Sequence, residues 1–232
     1  MDKLLPDAPI CYRMLSVDWG WTNMACVAFE LNTSNGELHV FLSPPFSIVG
    51  DVSGQCAQYH PEWTGAMAAN AFLSAQTRYQ DPSSPLWMLH FPHWQVPHPI
   101  SEIVLEAGNP PRPDSHALIA SVACSLHCLF PRASIHQAVR RQDVMRHAGI
   151  KVGAGRAASK EGSLAAVRGL EMHFFAQEKN ARKLLESDHV CDALLMGLYV
   201  WRGQYRSLHV HGPASCAAFR PTELHSQVLA RV

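Results

Sequence analysis

The chain has 232 residues, 47% of them apolar, and its 19 Lys/Arg balance 19 Asp/Glu to a formal net charge of zero. That length and apolar content suit one sizeable α/β domain, and the absence of any run of about 18 apolar residues excludes an obvious membrane span. The neutral total hides a division: residues 1 to 131 hold 4 Lys/Arg against 11 Asp/Glu, and residues 132 to 232 hold 15 against 8.

The N-terminal MDKLLPDAPICYRM has one Lys and no long apolar run, so a secretory signal is not expected. Residues 12 to 30 read as strand, turn, strand, with Gly20 as the breaker. A third strand is predicted at 37 to 42, after the Asn35-Gly36 hairpin signal. Loop follows over 43 to 60, then a helix over 63 to 79. Residues 81 to 100 hold five prolines and two tryptophans, Trp87 and Trp94, and read as a long ordered loop or insertion. Next come a strand at 101 to 107, a Pro-rich turn, and a helix at 114 to 129 with Asp114 as its N-cap. Cys124 and Cys128, four apart in that apolar stretch, read as buried thiols. Seven Cys with no CxxC pair point to a reduced, intracellular protein.

A strand is predicted at 133 to 139, then a basic helical turn in RRQDVMRHAG, the loop KVGAGRAASK, a helix over roughly 160 to 178, and a last strong helix from about 188 to 202. Residues 132 to 183 carry 11 basic and 4 acidic side chains. They form either a local positive surface or an ordinary solvated face, and charge alone leaves both open. The tail, 203 to 232, carries no readable pattern. No internal repeat is visible.

The order β-β-β-α-β-α-β-α-α suits one domain, a mixed sheet with helices on both faces and the strands of Asp18 and Glu106 adjacent at its centre. Ligand sites in such sheets lie at the carboxyl ends of strands. Asp18 ends LSVD, Glu106 ends IVLE, and His189 and Asp192 open the helix in SDHVCDALLMGLYVW. Like charges set together repel and raise each other's pKa, and a divalent cation removes that cost. Mg²⁺ or Mn²⁺ acting on phosphate esters is the chemistry such a set suits.

Asp18 on the first strand, Glu106 on the fourth and a final helix beginning H-x-x-D-A-L resemble the RuvC-like Holliday junction resolvases of the ribonuclease H-like superfamily, in particular the viral, poxvirus-related branch. The resemblance spans about residues 12 to 202, leaving 81 to 100 as an insertion and 203 to 232 as a C-terminal extension. It implies a ribonuclease H-like α/β fold with a mixed five-stranded sheet and two Mg²⁺ ions, for which Mn²⁺ can substitute. Asp18 would bridge both ions, Glu106 and Asp192 would bind them, and the fourth ligand is His189 or Asp188. Either lies on the same helix face as Asp192, and Asp188 also suits a helix N-terminus as a plain favourable charge. KVGAGRAASKEGSLAAV resembles the family's glycine-containing stretch ending in a Lys at a helix start, which maps to Lys160. Arg141-Gln142 and Arg146 resemble its R-Q-x-x-[KR] turn, with a different spacing.

The resemblance further implies an endonuclease that resolves four-way DNA junctions by paired symmetric nicks, leaving 5′-phosphate and 3′-hydroxyl ends. It would serve genome recombination or concatemer resolution as a homodimer. If viral, it would work where the viral genome replicates in the host cell. Arg140, Arg141, Arg146, Lys151, Arg156 and Lys160 would hold backbone phosphates, or each would be a solvated surface residue. Trp19 and Trp21 stand where the family has smaller residues, and would stack on exposed bases or pack against a helix.

Four other readings compete with this one. D-W-G-W-T-N at 18 to 23 looks like the first phosphate loop of sugar kinases and actin-like ATPases, but no second such loop follows. A general ribonuclease H-like nuclease without junction specificity fits nearly as well. An inactive DNA-binding homologue fits less well, because every ligand position is filled. A zinc module from the 14 His and 7 Cys lacks tetrahedral ligand spacing, although His209 and His211 alternate as on a strand.

Overall fold

A strand buried on both faces reads as a continuous apolar run and belongs at the centre of a sheet. β1 (Cys11–Asp18) is such a strand, with every residue from Arg13 to Asp18 buried. The computed structural model describes residues 11–19, 23–42, 45–47, 100–107, 130–151, 156–174 and 178–212, with helical positions 116, 119–120, 122–124 and 126–127. The predicted helix at 63 to 79 and nearly all of the 81 to 100 insertion lie outside them.

β1 pairs antiparallel with β2 (Asn23–Asn32), which pairs antiparallel with β3 (Glu37–Leu42). The turn between β2 and β3 is built by side chains that accept from the backbone. Asn32 Oδ1 takes Ser34 N at 3.0 Å, and Asn35 Oδ1 takes Glu37 N at 2.9 Å. Gly36 closes it at φ 75°, where a side chain would be strained and would press on Arg206. A short β4 (Phe46–Ser47) pairs with the start of β2.

β5 (Glu102–Glu106) lies parallel beside β1, and β6 (Ser134–Val139) parallel beside β5. On the far side, β8 (Ser207–His211) runs parallel to β3, and β7 (His173–Phe174) parallel to β8. The path is β6-β5-β1-β2-β3-β8-β7, with β4 off it on β2. The segment β3-β2-β1-β5-β6, with β2 alone reversed, is a mixed sheet with the strands of Asp18 and Glu106 adjacent, as expected. The five-stranded expectation is corrected: two further strands extend the β3 edge.

The helices are α1 (Arg141–His147), α2 (Arg156–Arg168), α3 (Glu178–Leu184) and α4 (Asp188–Val200). The helix predicted over 160 to 178 instead starts at Arg156 and stops at Arg168, and His173 and Phe174 join the sheet edge as β7. Pairing to β8 overrides the local helical pattern there. The unreadable tail likewise contains β8, whose Leu208 and Val210 are buried.

α4 lies across β1 and β2. Its residues Val190, Cys191, Ala193, Leu194, Leu195, Met196, Gly197 and Leu198 are buried in one core with Met14, Val27, Phe29, Val40, Val104 and Val210. Gly197 lets the helix approach this closely, since a Cβ there would stand 2.2 Å from Phe29 Cζ. At about 1.5–3 kcal/mol for each large apolar side chain buried, this stripe anchors the charged first turn of α4 against the sheet end. The residues facing the other way (Leu15, Val17, Cys26, Ala28, Ile103 and Leu105) are buried too, so the sheet is covered on both faces.

The helical positions between 116 and 127 bury Ile119, Val122, Ala123 and Leu126. Cys124 is exposed, which corrects the expected buried thiol: it points away from the 119, 122, 123, 126 stripe. Cys128 lies outside the described residues. Among the described residues no helix is long and apolar enough to cross a membrane.

Candidate active site

Val17 pairs with Leu105 across the parallel strands β1 and β5, so Asp18 and Glu106, one residue further along each, leave the sheet side by side. Period-two alternation puts both on the α4 face. Trp19 ties the two strand ends together, its indole N–H donating to the Glu106 carbonyl at 3.1 Å. Trp19 thereby holds the site's backbone, and Trp21 lies outside the described residues.

The first turn of α4 faces these ends. His189 Nδ1 lies 2.6 Å from Asp18 Oδ2. One turn on, Asp192 accepts from Arg141 Nη2 at 2.7 Å and from the Ser163 hydroxyl at 2.7 Å, one on each carboxylate oxygen. Arg141 Nη1 lies 3.6 Å from Glu106 Oε2. One guanidinium therefore serves two carboxylates from distant segments. Ser159 Oγ lies 3.4 Å from the same Nη2. Arg141 reaches inward because α1 starts directly after β6, the neighbour of β5, and Ala107 N bonds Val139 O at 2.7 Å. A narrow hollow beside it is lined by Glu106, Arg141, Ser163 and Asp192 over an apolar floor including Met145 and Leu195.

Burial dominates the electrostatics. Asp18, 5% exposed, has its pKa raised by desolvation, against the hydrogen bond from His189 that lowers it. Glu106 is pushed up to about 7 by desolvation, with Asp18 and Asp192 adding repulsion and Arg141 opposing. His189 is raised, first by its hydrogen bond to Asp18. Desolvation works against the charge on Arg141, yet Asp192 and Glu106 outweigh it and hold the guanidinium protonated.

Of the residues expected at the site, Asp18, Glu106, His189, Asp192 and Arg141 are brought together. Asp188 opens α4 but pairs with Lys160. Burial alone would raise its pKa, and the hydrogen bond from Lys160 carries it below the usual range. Arg140, Arg146 and Lys151 are exposed, Arg146 pairing with Asp143 at 3.1 Å. Arg156 begins α2, and its side chain lies outside the described residues. Arg141, expected with them as a phosphate contact, stands inside the acidic cluster. Sequence reasoning missed Ser163, 1% exposed. Its one signal was a hydroxyl four positions before Val167 on the buried face of α2.

Among the described residues no three His, Cys, Asp or Glu side chains are arranged to hold a metal ion. The central positive charge is Arg141. The donors themselves fit a hard divalent cation, being carboxylates whose repulsion a cation would relieve. His209 and His211, the strand-like histidines of the zinc reading, stack with His39.

No family profile matches the chain, and no curated protein matches it. Among solved structures it is similar to Thermus thermophilus RuvC and to T. thermophilus RuvC in complex with Holliday junction substrate. Each is 11% identical with a TM-score of 0.43, covering 84% of this chain and 99% of the other. At that distance the likeness assigns neither an activity nor site residues.

Proposed function

We propose that this chain is a metal-dependent nuclease that resolves four-way DNA junctions. The observation that carries this reading is the convergence of Asp18, Glu106 and Asp192, from three separate segments, at the carboxyl ends of two central strands. Three acids so placed cost stability unless a cation compensates them. A ligand site for phosphodiesters is a reason to keep them. The exposed Arg140, Arg146 and Lys151 nearby in sequence suit a polyanionic substrate.

Asp18, Glu106 and Asp192, with His189, would hold Mg²⁺ or Mn²⁺, two ions if the family pattern extends this far. When bound, such ions supply a polarised water and charge relief at the leaving oxygen. Asp18 keeps His189 oriented, and Ser163 keeps Asp192 oriented. Lys160, exchanging Asp188 for a phosphate oxygen, would neutralise charge developing on phosphorus. Arg140, Arg146, Lys151 and Arg156 would position the DNA backbone, so binding weakens as salt rises. Paired nicks in two strands need two sites related by a twofold axis, which requires a homodimer. The viral branch, and work inside a host cell compartment, belong to the sequence resemblance alone.

The test is a synthetic four-way junction with Mg²⁺, comparing wild type with Asp18→Asn and Asp192→Asn. Paired symmetric nicks are expected from wild type, with each variant slower by about a hundredfold or more. Unchanged cleavage by the variants would remove the site assignment. Equal cutting of single strands or RNA–DNA hybrids would replace junction resolution with a general ribonuclease H-like activity.

A further inference from the structure

Arg141 occupies the place where a metal-dependent reading puts positive charge. Its two terminal nitrogens divide between Asp192, at 2.7 Å, and Glu106, at 3.6 Å, and Asp18 adds its field from the end of β1. The second oxygen of Asp192 is taken by Ser163 at 2.7 Å. Both oxygens of Asp192 are therefore engaged by donors, and the cation nearest Glu106 is a guanidinium. An ion that takes Asp192 Oδ2 or Glu106 Oε2 competes with Arg141 for it.

The residue type matters. A planar guanidinium presents a fork of donors that can span two carboxylates, whereas an ammonium is a compact point charge. Ser159 helps keep the fork in place, its Oγ lying 3.4 Å from Nη2. The backbone fixes it from below, because Arg141 starts α1 directly after the end of β6.

We propose that Arg141 is an internal counter-ion that a divalent cation must displace from Glu106 and Asp192, so that its guanidinium sets the metal affinity of the site. The proposal rests on the metal-dependent reading above and adds a positioning residue to it. Without metal, Arg141 keeps three acids folded together. With metal bound, its fork is released toward the cleft, where it matches a phosphate.

The experiment is a Mn²⁺ titration of the whole chain, with free Mn²⁺ read by electron paramagnetic resonance, for wild type, Arg141→Met and Arg141→Lys. Methionine keeps an apolar stem and removes the charge. Arg141→Met is expected to bind Mn²⁺ about tenfold tighter than wild type or more, because a close charge pair no longer has to be broken. Thermal unfolding is the second readout: saturating Mn²⁺ raises the midpoint of Arg141→Met by more than that of wild type. Equal or weaker binding by folded Arg141→Met overturns the counter-ion role and leaves the metal reading standing. Absence of Mn²⁺ uptake by wild type and Arg141→Met alike overturns both. Should Arg141→Met fail to fold, Arg141→Lys decides: it is expected to bind Mn²⁺ more tightly than wild type, by a smaller factor, and affinity at or below wild type overturns the proposal.

Discussion

Asp18 Oδ2 and His189 Nδ1 stand 2.6 Å apart, joining the end of β1 to the first turn of α4 across 171 residues of sequence. The most buried acid of the site is thus held by an imidazole whose own pKa it raises. The pair couples site geometry to the seating of α4.

Replacing His189 by Ala strips Asp18 of this donor while leaving it buried. A buried acceptor that loses its partner costs about 1–3 kcal/mol, so His189→Ala should unfold at lower denaturant with an unchanged slope. The pH dependence follows from the raised pKa. The folded state binds the His189 proton more tightly than the unfolded state, so this contribution is full below about pH 6.5 and fades as pH rises through the folded value. The gap between wild type and His189→Ala should narrow in alkaline buffer. Stability within about 0.5 kcal/mol of wild type at pH 6 would show that the pair does not support the fold.

Glu106→Gln should separate stability from activity. Glu106 titrates near 7 in the folded chain against an ordinary 4.5, so the folded state holds its proton more tightly and stability falls as pH rises through that window. Glutamine keeps the shape and removes the buried charge. At pH 8, without metal, the variant should be more stable by about 1–2 kcal/mol, with the two proteins converging near pH 4.5. Junction cleavage should fall by about a hundredfold or more. A lower melting midpoint at pH 8 would mean that the Arg141 contact outweighs the burial cost.

Sequence patterns recovered the parts of the fold that local physics determines. The hairpin after Asn32 is written in Asn35-Gly36, and its strands begin and end close to where alternation puts them. Asp18 and Glu106 were legible as strand-ending carboxylates, and His189 and Asp192 as polar residues opening a helix that is apolar beyond them. The outer strands were not. β7 has two residues, too few for periodicity to speak, and the alternation of His209 and His211 in β8 stands isolated in a tail without other signals; both join the sheet at the edge that β3 leaves. Arg141 gave no sign of its inward turn for a related reason. In sequence it is one of several arginines in a basic turn, and only the register of β5 with β6 turns it inward.

The closeness of α4 to the sheet makes Gly197 sensitive. An added methyl would lie 2.2 and 2.3 Å from Phe29 Cζ and Cε2. Gly197→Ala should therefore cost about 1–3 kcal/mol despite the better helix propensity of alanine. Phe29→Leu in the same chain should recover part of that loss, giving a favourable coupling in a double-mutant cycle. Independent, additive losses would show that helix and strand do not meet there.

The outer edge of the sheet carries a row of imidazoles with its own pH response. His39, His209 and His173 pair in register across β3, β8 and β7, with ring centroids 5.0 and 5.2 Å apart. His211 stacks on Phe41 at 4.6 Å, and its Nε2 lies 2.9 Å from His39 Nδ1. Such a contact needs one ring to donate and the other to accept, so at least one stays neutral. Burial, then His39 and His209, push His211 down to about 4, and burial with His39 lowers His209, while Glu37, 3.6 Å from His39, opposes the trend for His209. A folded pKa below the unfolded value means that the unfolded chain takes up the protons first. Stability from His209 and His211 is whole above about pH 6.5 and drains away as pH falls toward 4. The contribution of His209 and His211 to the urea midpoint should therefore drop between pH 7.5 and pH 5, against the opposite trends of Glu106 and His189, with β8 and β7 losing amide-exchange protection before β1. His211→Phe keeps the stack on Phe41 without the titrating ring and should flatten that slope; an unchanged slope would place the acid sensitivity elsewhere in the chain.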